Sequence, residues 1–257
     1  MIETLYHIGF GTGDLGSEPA TAVLLSGDPD RSEYIATEKL TNARVLSKNR
    51  GLTSFMADLP NGRPVLCSTS GMGGPSASIV INELAQLPVK TIIRIGTTGS
   101  IQPYVPAGSI VISSAALSRQ GAAIDVAPVE FPAVADPFVT VELSRSAGRL
   151  GFDAYVGITA SVDTFFEGQE RTSISANPTL QRWLQGITEE YRALGILNYE
   201  MESATLFKLA SVYRLRAGCV CAVIAQRTEG ENVVFAMKEG AVDAAIDTAI
   251  DAIQTWA

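Results

Sequence analysis

The stretch KTIIRIGTTGS, residues 90–100, decides the fold. Its apolar run predicts a buried strand, and the glycines that follow predict a turn where the strand ends. Short apolar runs and segments of helical spacing alternate along the rest of the chain. This alternation predicts a single α/β domain over residues 1–257, built as a sandwich around a mixed sheet.

The other predicted elements follow from the same apolar patterns. Strands are predicted at 21–27, 63–70, 108–117, 153–166 and 217–228. Helices are predicted at 28–39, 75–87, 135–151, 177–195 and 235–257, and residues 198–215 are expected to begin extended and turn helical.

Composition limits the classes of partner. A net charge of −8 and a pI of about 4.8 argue against a nucleic-acid surface. No apolar run is long enough to cross a bilayer and no secretory signal is visible, so we expect a cytoplasmic protein without a membrane partner. Three cysteines without a CxxC spacing predict buried thiols in a reducing compartment and no zinc site.

Arg94 interrupts the apolar strand, where an uncompensated charge is costly. It forms either a structural ion pair or, at the exit of the strand, a grip on an anion. The second interpretation is favoured by GTTGS, which supplies hydroxyl groups and close backbone approach. Glycine loops around Gly27 and at 70–74 join strands to helices, and Arg31 follows the first loop. These features predict a small phosphate site.

Glu200 and Glu202 share one face if their segment is extended. The two carboxylates could be acid/base partners, glycosidase groups or acceptors for a sugar diol. They could equally lie on a solvated helix N-terminus, where glutamate is favoured by the helix dipole.

Gln169 and Arg171 stand just after an aromatic pair that begins at Phe165. An amide and a guanidinium beside an aromatic face suit a planar, oxygen-rich heterocycle, although a mobile polar loop has the same composition. Arg227 places another charge where the last apolar strand ends. His7 is the sole histidine, so either it is the base or the chemistry uses no histidine base.

Several blocks, in order along nearly the whole chain, resemble the nucleoside phosphorylase-I family. They are SGDPDR (26–31), CSTSGMGGPSASI (67–79), RIGTTGSIQP (94–103), APVEFPAVAD (127–136), TASVDTFFEGQER (159–171), NYEMESATL (198–206) and VIAQRT (223–228). The resemblance implies a three-layer α/β/α sandwich with a central mixed, partly barrel-like sheet. It also implies reversible phosphorolysis, in which a nucleoside and phosphate give a free base and ribose 1-phosphate.

The resemblance assigns residues to three subsites, and it makes Arg94, Gln169, Arg171 and Glu202 the catalytic group. For phosphate it implies Gly27, Arg31, Arg94 and Thr97, with Arg50 from a neighbouring subunit. For ribose it implies Thr97, Met201 and Glu202, with His7 from the neighbour. For the base it implies Thr98, Gly99, Phe165, Gln169, Arg171 and Arg227. His7 would then be a substrate ligand lent to a partner subunit rather than a base.

The Gln-x-Arg pair and Arg227 favour a pyrimidine, so uridine is the expected substrate, with deoxyuridine or thymidine open. The alternatives are a purine nucleoside phosphorylase of the same fold, a nucleoside hydrolase and a catalytically silent nucleoside-binding protein. Phosphate is expected as a co-substrate, with no cofactor and no metal.

Two departures from the family pattern have consequences. Gly51 replaces a glutamate that relatives use near a monovalent-cation site between subunits, so that site is not expected. The flap at 229–238 is shorter than usual. Shared sites imply at least a dimer, with a hexamer built as a trimer of dimers also open.

Overall fold

A computed structural model describes residues 3–228 and 235–256. The strands are β1 (Ala22–Ser26), β2 (Thr41–Ser47), β3 (Ser54–Asp58), β4 (Pro64–Thr69), β5 (Thr91–Ser100), β6 (Ile110–Arg119), β7 (Ala154–Val162), β8 (Asn198–Glu200) and β9 (Arg216–Gln226). The α-helices are α1 (Pro29–Tyr34), α2 (Gly74–Ala85), α3 (Gly121–Val126), α4 (Pro137–Leu150), α5 (Ile187–Ala193), α6 (Ser203–Tyr213) and α7 (Phe235–Ile253).

The strands form one mixed sheet that closes partly on itself. Within the described residues, the strand order is β2-β3-β4-β1-β5-β8-β7-β6-β9, and β9 also pairs with β5. The strands from β5 to β9 therefore make a closed ring, while β1 to β4 extend from it as an open sheet. β5 runs parallel to both β1 and β9, so it lies at the junction of the two parts. This topology confirms the partly barrel-like mixed sheet.

Two helical layers cover the sheet, as the alternation of apolar side chains requires. Along β1, Ala22 and Leu24 pack in one core with α4 and α7. Val23 and Leu25 of the same strand pack in a second core with α2 and α6. Successive residues of one strand thus face opposite layers, and the α/β/α sandwich is confirmed.

The predicted turn after the apolar part of residues 90–100 is wrong. β5 continues through Ser100, and Arg94 is its fourth residue rather than its exit. The glycines serve close packing instead of a turn. A Cβ added at Gly96 would lie 2.8 Å from the Cys221 Sγ, and one at Gly99 would lie 2.9 Å from Arg227. Larger residues here would displace the side chains that surround the strand.

Two other segments differ from the predicted elements. Of the helix predicted at 177–195, only α5 is formed as an α-helix. It begins after Gly186, which has a left-handed conformation (φ 78°). A single 3₁₀ turn at Arg182–Leu184 precedes that glycine. Residues 40–62, for which the pattern predicts no element, contain β2 and β3.

None of the helices in the described ranges combines the length and the apolar character that a bilayer crossing needs. The flap prediction falls largely on residues 229–234, which lie outside the described residues.

Candidate active site

A cavity of about 490 Å³ opens where β5, β8 and β9 meet α1, α7 and the residue that precedes α6. It brings together most of the side chains that the sequence singles out. The predicted residues that line it are Gly27, Arg31, Arg94, Thr97, Thr98, Gly99, Phe165, Gln169, Arg171, Met201 and Glu202. Further lining residues are Asp28, Pro29, Met72, Gly96, Tyr199, Glu200, Ile224, Ala225 and Lys238.

Arg94 is the buried charged centre of the cavity, with 5% of its surface exposed. Its Nε donates to Glu200 Oε2 at 3.2 Å, and its Nη2 donates to Glu202 Oε2. Burial by itself would lower the pKa of Arg94, but the charges of Glu202 and Glu200 outweigh burial and raise it. A structural ion pair and binding of an anionic ligand are therefore not alternatives, because the guanidinium of Arg94 pairs with two carboxylates through Nε and Nη2 and keeps Nη1 for a ligand.

The third nitrogen of the Arg94 guanidinium points toward the first glycine loop. Within the described residues, its Nη1 is buried and has no hydrogen-bond partner. A Cβ at Gly27 would lie 3.7 Å from this atom. A buried guanidinium N–H without an acceptor is costly, so this position favours an anionic ligand.

Arg31 approaches the same corner from α1. Its Nη1 donates to the Ile95 carbonyl at 3.2 Å and lies 3.4 Å from Ser26 Oγ. Burial is the main cause that lowers the pKa of Arg31. A desolvated cation beside Arg94 gives this end of the cavity the charge and the donors of an anion site.

The second glycine loop also borders this corner, since a Cβ at Gly27 would lie 3.3 Å from the Gly71 carbonyl oxygen and Met72 lines the cavity. The backbone N–H of Gly73 donates to Glu202 Oε1 at 2.6 Å, so the loop binds the protein's own carboxylate. Glu202 is thereby held between Gly73 on one side and Arg94 on the other. Fixed in this way, its carboxylate can still accept hydrogen bonds from hydroxyl groups in the cavity.

Gln169 and Arg171 form one rigid unit rather than part of a mobile polar loop. They are 3% and 5% exposed, and Arg171 Nε donates to Gln169 Oε1 at 3.0 Å. The Arg171 guanidinium lies 4.4 Å from the ring centre of Phe165. The amide, the guanidinium and the aromatic face therefore converge at one end of the cavity, as a planar heterocycle would require.

Arg227 and Thr98 lie beside this end. The Arg227 guanidinium is 5.2 Å from the ring centre of Tyr199, which the sequence reasoning missed. Burial raises the pKa of Tyr199 to about 12, so its phenol stays neutral. The Thr98 hydroxyl donates to the Tyr199 carbonyl at 2.5 Å and accepts from Asn198 at 2.8 Å. The Thr98 hydroxyl therefore uses its one donor and one of its acceptor positions within the protein.

The lining residues that the sequence did not reveal are mostly apolar or backbone groups. Met72, Ile224 and Ala225 carry no charge or motif that separates them from core residues. Tyr199 precedes Glu200 directly, so its place in NYEMES was the one available signal.

His7 and Arg50 lie outside this cavity. The Arg50 guanidinium donates to the Tyr6 hydroxyl at 2.8 Å and stacks on the Tyr6 ring. His7 Nδ1 lies 2.6 Å from Glu83 Oε1, and Glu83 also accepts from the backbone N–H of Ile8 at 2.8 Å. The two residues thus share one surface of the protein with the N-terminal segment, and a single chain does not bring them to Arg94.

The contacts of the Glu83 carboxylate with His7 and Ile8, which we call the Glu83 anchor, predict a pH dependence of stability. Burial would raise the pKa of Glu83, but hydrogen bonds from Ile8 and His7 outweigh it and lower the pKa below its ordinary value of 4.5. A carboxyl with a depressed folded pKa contributes stability above its unfolded pKa and loses it as pH falls through the folded value.

We expect the free energy of unfolding to fall more between about pH 5 and about pH 3 in the parent protein than in Glu83→Gln. Urea unfolding at each pH measures this difference. Parallel pH curves for the two proteins would contradict the role of the anchor.

Comparison with known proteins agrees with the geometry of the cavity. A family profile described as "Phosphorylase superfamily" matches residues 21–255. The chain is 43% identical over 227 residues to the uridine phosphorylase of Escherichia coli K12, with 88% of each chain covered. It is 40% identical over 250 residues to the uridine phosphorylase of Haemophilus influenzae, with 97% of each chain covered.

A third relative is the uridine phosphorylase of Thermococcus kodakarensis. It is 38% identical over 251 residues, which cover 98% of this chain and 87% of the relative. These matches extend over almost the whole fold, and they include the strands and loops that carry the cavity. The chain therefore belongs to the phosphorylase superfamily.

Proposed function

We propose that the protein is a pentosyltransferase that catalyses the reversible phosphorolysis of uridine to uracil and ribose 1-phosphate. The observation that carries this proposal is the buried Arg94, which presents an open N–H to the Gly27 corner while it holds Glu202. One guanidinium thereby links an anion site to a carboxylate suited to a sugar diol.

At the anion end, Gly27, Arg31, Arg94 and Thr97 would hold phosphate. A phosphate oxygen forms a bond to C1′ of ribose while the C1′–N1 bond breaks, and the electron pair leaves with the base. The proton that the phosphate gives up balances the proton that uracil finally gains. Because positive charge grows on the ribose, the adjacent phosphate stabilises the transition state more than the ground state.

In the middle of the cavity, Met201 and Glu202 would hold the ribose, with the Glu202 carboxylate accepting from the hydroxyl groups. At the far end, Gln169 and Arg171 would donate to the uracil oxygens as negative charge develops. Phe165, Thr98, Gly99 and Arg227 would enclose the ring. Uracil is an acidic imide, so these donors can stabilise the leaving group without a histidine base.

The first experiment measures uridine consumption with and without inorganic phosphate, with inosine alongside. We expect uracil release that depends on phosphate and little turnover of inosine. Release without phosphate would indicate a nucleoside hydrolase. Inosine turnover would favour a purine nucleoside phosphorylase, and uridine binding without release would indicate a silent binding protein.

We further propose that His7 and Arg50 complete the cavity of a second copy of the chain. Both lie on the exposed N-terminal surface, where Glu83 and Tyr6 hold them away from their own cavity. The protein would then be at least a dimer, and a hexamer built as a trimer of dimers is compatible with the same sharing.

A hybrid experiment tests this sharing. We expect His7→Ala to raise the KM for uridine more than the KM for phosphate. At uridine concentrations well below the raised KM, we expect mixed oligomers of His7→Ala and Arg94→Ala to exceed the activity of either variant alone, because a hybrid contains one site with both residues intact. Activity that stays at the level of the parent variants after mixing would place His7 elsewhere.

The remaining proposals concern the chain as a whole. We propose that residues 1–257 act as one domain in the cytoplasm, and that phosphate is a co-substrate with no cofactor, metal, nucleic acid or membrane required. Gly51 has a positive φ of 76° and carries no ligand oxygen in its side chain, which supports activity without a monovalent cation. Equal rates in sodium, potassium and tetramethylammonium buffers are expected.

A further inference from the structure

Gln120, between β6 and α3, is a fully buried carboxamide that the proposed chemistry does not use. Its Oε1 accepts from the Thr205 backbone N–H at 3.0 Å and from the Thr205 hydroxyl at 2.8 Å. Its Nε2 donates to the carbonyl of Met201. Both ends of the side chain are therefore bound to the junction between β8 and α6.

This junction carries the residues proposed to hold ribose. α6 begins directly after Glu202, whose own side chain does not cap the helix, and the first three backbone N–H groups of α6 donate instead to side chains of other residues. The acceptors are the Glu200 carboxylate for Ser203, Ser161 Oγ for Ala204 and Gln120 Oε1 for Thr205.

Gln120 also donates to the Met201 carbonyl, and the N–H of the same peptide, that of Glu202, donates to Glu200 Oε2 at 2.7 Å, so the peptide between Met201 and Glu202 is held at both of its polar groups. Gly74, where the second glycine loop ends and α2 begins, lies close to the same carboxamide, since a Cβ added there would be 3.2 Å from Gln120 Nε2. That loop supplies the Gly73 N–H that binds Glu202. Gln120 therefore binds the peptide that carries Glu202 and lies beside the residue that follows Gly73, whose N–H binds the Glu202 carboxylate.

We propose that Gln120 is a positioning residue for Met201 and Glu202 and that it sets the preference for ribose over 2′-deoxyribose. The inference rests on the proposed function, in which these residues hold the ribose hydroxyls. A misplaced carboxylate loses its bonds to both hydroxyls of ribose, but 2′-deoxyribose has only the 3′-hydroxyl to lose. A displacement of about 1 Å can cost about 10²-fold in rate.

The test compares Gln120→Met, which has similar volume but no hydrogen bonds, with the parent protein. We expect kcat/KM for uridine to fall by about 10²-fold, the loss for 2′-deoxyuridine to be several-fold smaller, and the KM for phosphate to stay unchanged. An equal loss for both nucleosides, or a parallel rise in the phosphate KM, would show a general structural role and overturn the proposal.

Gln102 offers a matched control. It is also buried, and its Nε2 donates to the Arg192 and Ile196 carbonyls at 2.9 and 2.8 Å, outside the cavity. Gln102→Met removes comparable bonds and should leave the ratio of uridine to 2′-deoxyuridine turnover unchanged. A change of that ratio in the control would also overturn the proposal.

If Gln120→Met does not fold, Thr205→Val carries the test, because it removes one bond to Gln120 at nearly constant volume. The same ratio should fall by a smaller factor, and an unchanged ratio would contradict the inference. The two proposals fail differently. A parent protein that releases no uracil with phosphate contradicts the proposed function, whereas an active parent with an unchanged ratio in the variants contradicts only the role of Gln120.

Discussion

An Arg94→Met variant is expected to lose phosphorolysis by about 10³-fold and to unfold more easily. The loss of rate follows because the variant removes the open N–H of the anion site and the cation that orients Glu202. The loss of stability follows because Glu200 and Glu202 stay buried without a compensating charge, which costs about 3–5 kcal/mol. Initial rates at saturating uridine across a phosphate series, and urea unfolding, measure the two effects.

A pH series separates the two effects of this substitution. Burial raises the pKa of Glu202 and the charge of Arg94 opposes that rise, so the variant loses the opposing charge and its stability deficit is largest at high pH and shrinks as pH falls. Arg149→Met is the control, since Arg149 is half exposed and paired with Glu142 and Asp251 far from the cavity. It should alter neither the rate nor the phosphate KM. A normal phosphate KM in Arg94→Met would remove Arg94 from the anion site.

Gln169→Leu and Arg171→Leu are each expected to lower kcat/KM for uridine by about 10²–10³-fold, because each would remove a donor that we propose faces the developing charge on the base. The losses should not add fully, since Arg171 Nε donates to Gln169 and the two side chains act as one unit. Uracil release followed by absorbance measures both variants and the double variant.

The leaving group supplies a sharper test of this role. Fluorine at C5 makes the uracil imide more acidic, so 5-fluorouridine needs less help from the protein. We expect each variant to lose less activity with 5-fluorouridine than with uridine. Gln181→Leu is the control, because Gln181 is exposed and bonded to Trp183 outside the cavity. Equal losses with both nucleosides would mean that the pair holds the substrate without stabilising the leaving base.

The layers of the fold could be predicted from the sequence because the apolar patterns indicate the strands and helices. Most of the cavity could be predicted because charged residues in apolar segments are energetically unfavourable without a partner or a ligand. A charge such as Arg94 in an apolar strand, or Glu202 before a buried helix, needs a partner or a ligand, and both residues reach the cavity. The turn predicted after Arg94 is wrong because glycine near a strand end reads as a turn, whereas Gly96 and Gly99 make room for neighbouring side chains.

The remaining features depend on contacts across the fold that no local pattern encodes. Gln120 looks like an ordinary loop residue, yet its partners lie 81 and 85 positions away. The second glycine loop carries the motif of an anion site, but the protein's own Glu202 occupies its Gly73 N–H. Local sequence shows which groups are available, and the tertiary fold decides which partner takes them.

The continuity of β5 also fixes the length of what the cavity can accept. Arg94 at the proposed phosphate end and Gly99 at the proposed base end belong to the same strand, β5, which pairs with β9 on both sides of one register shift between Thr98 and Gly99. A strand of this kind cannot stretch, and five residues correspond to about 16 Å of backbone. β5 therefore sets the distance between the proposed phosphate and base ends of the cavity. We expect that distance to stay constant in evolution, while changes of base preference arise in the surrounding loops.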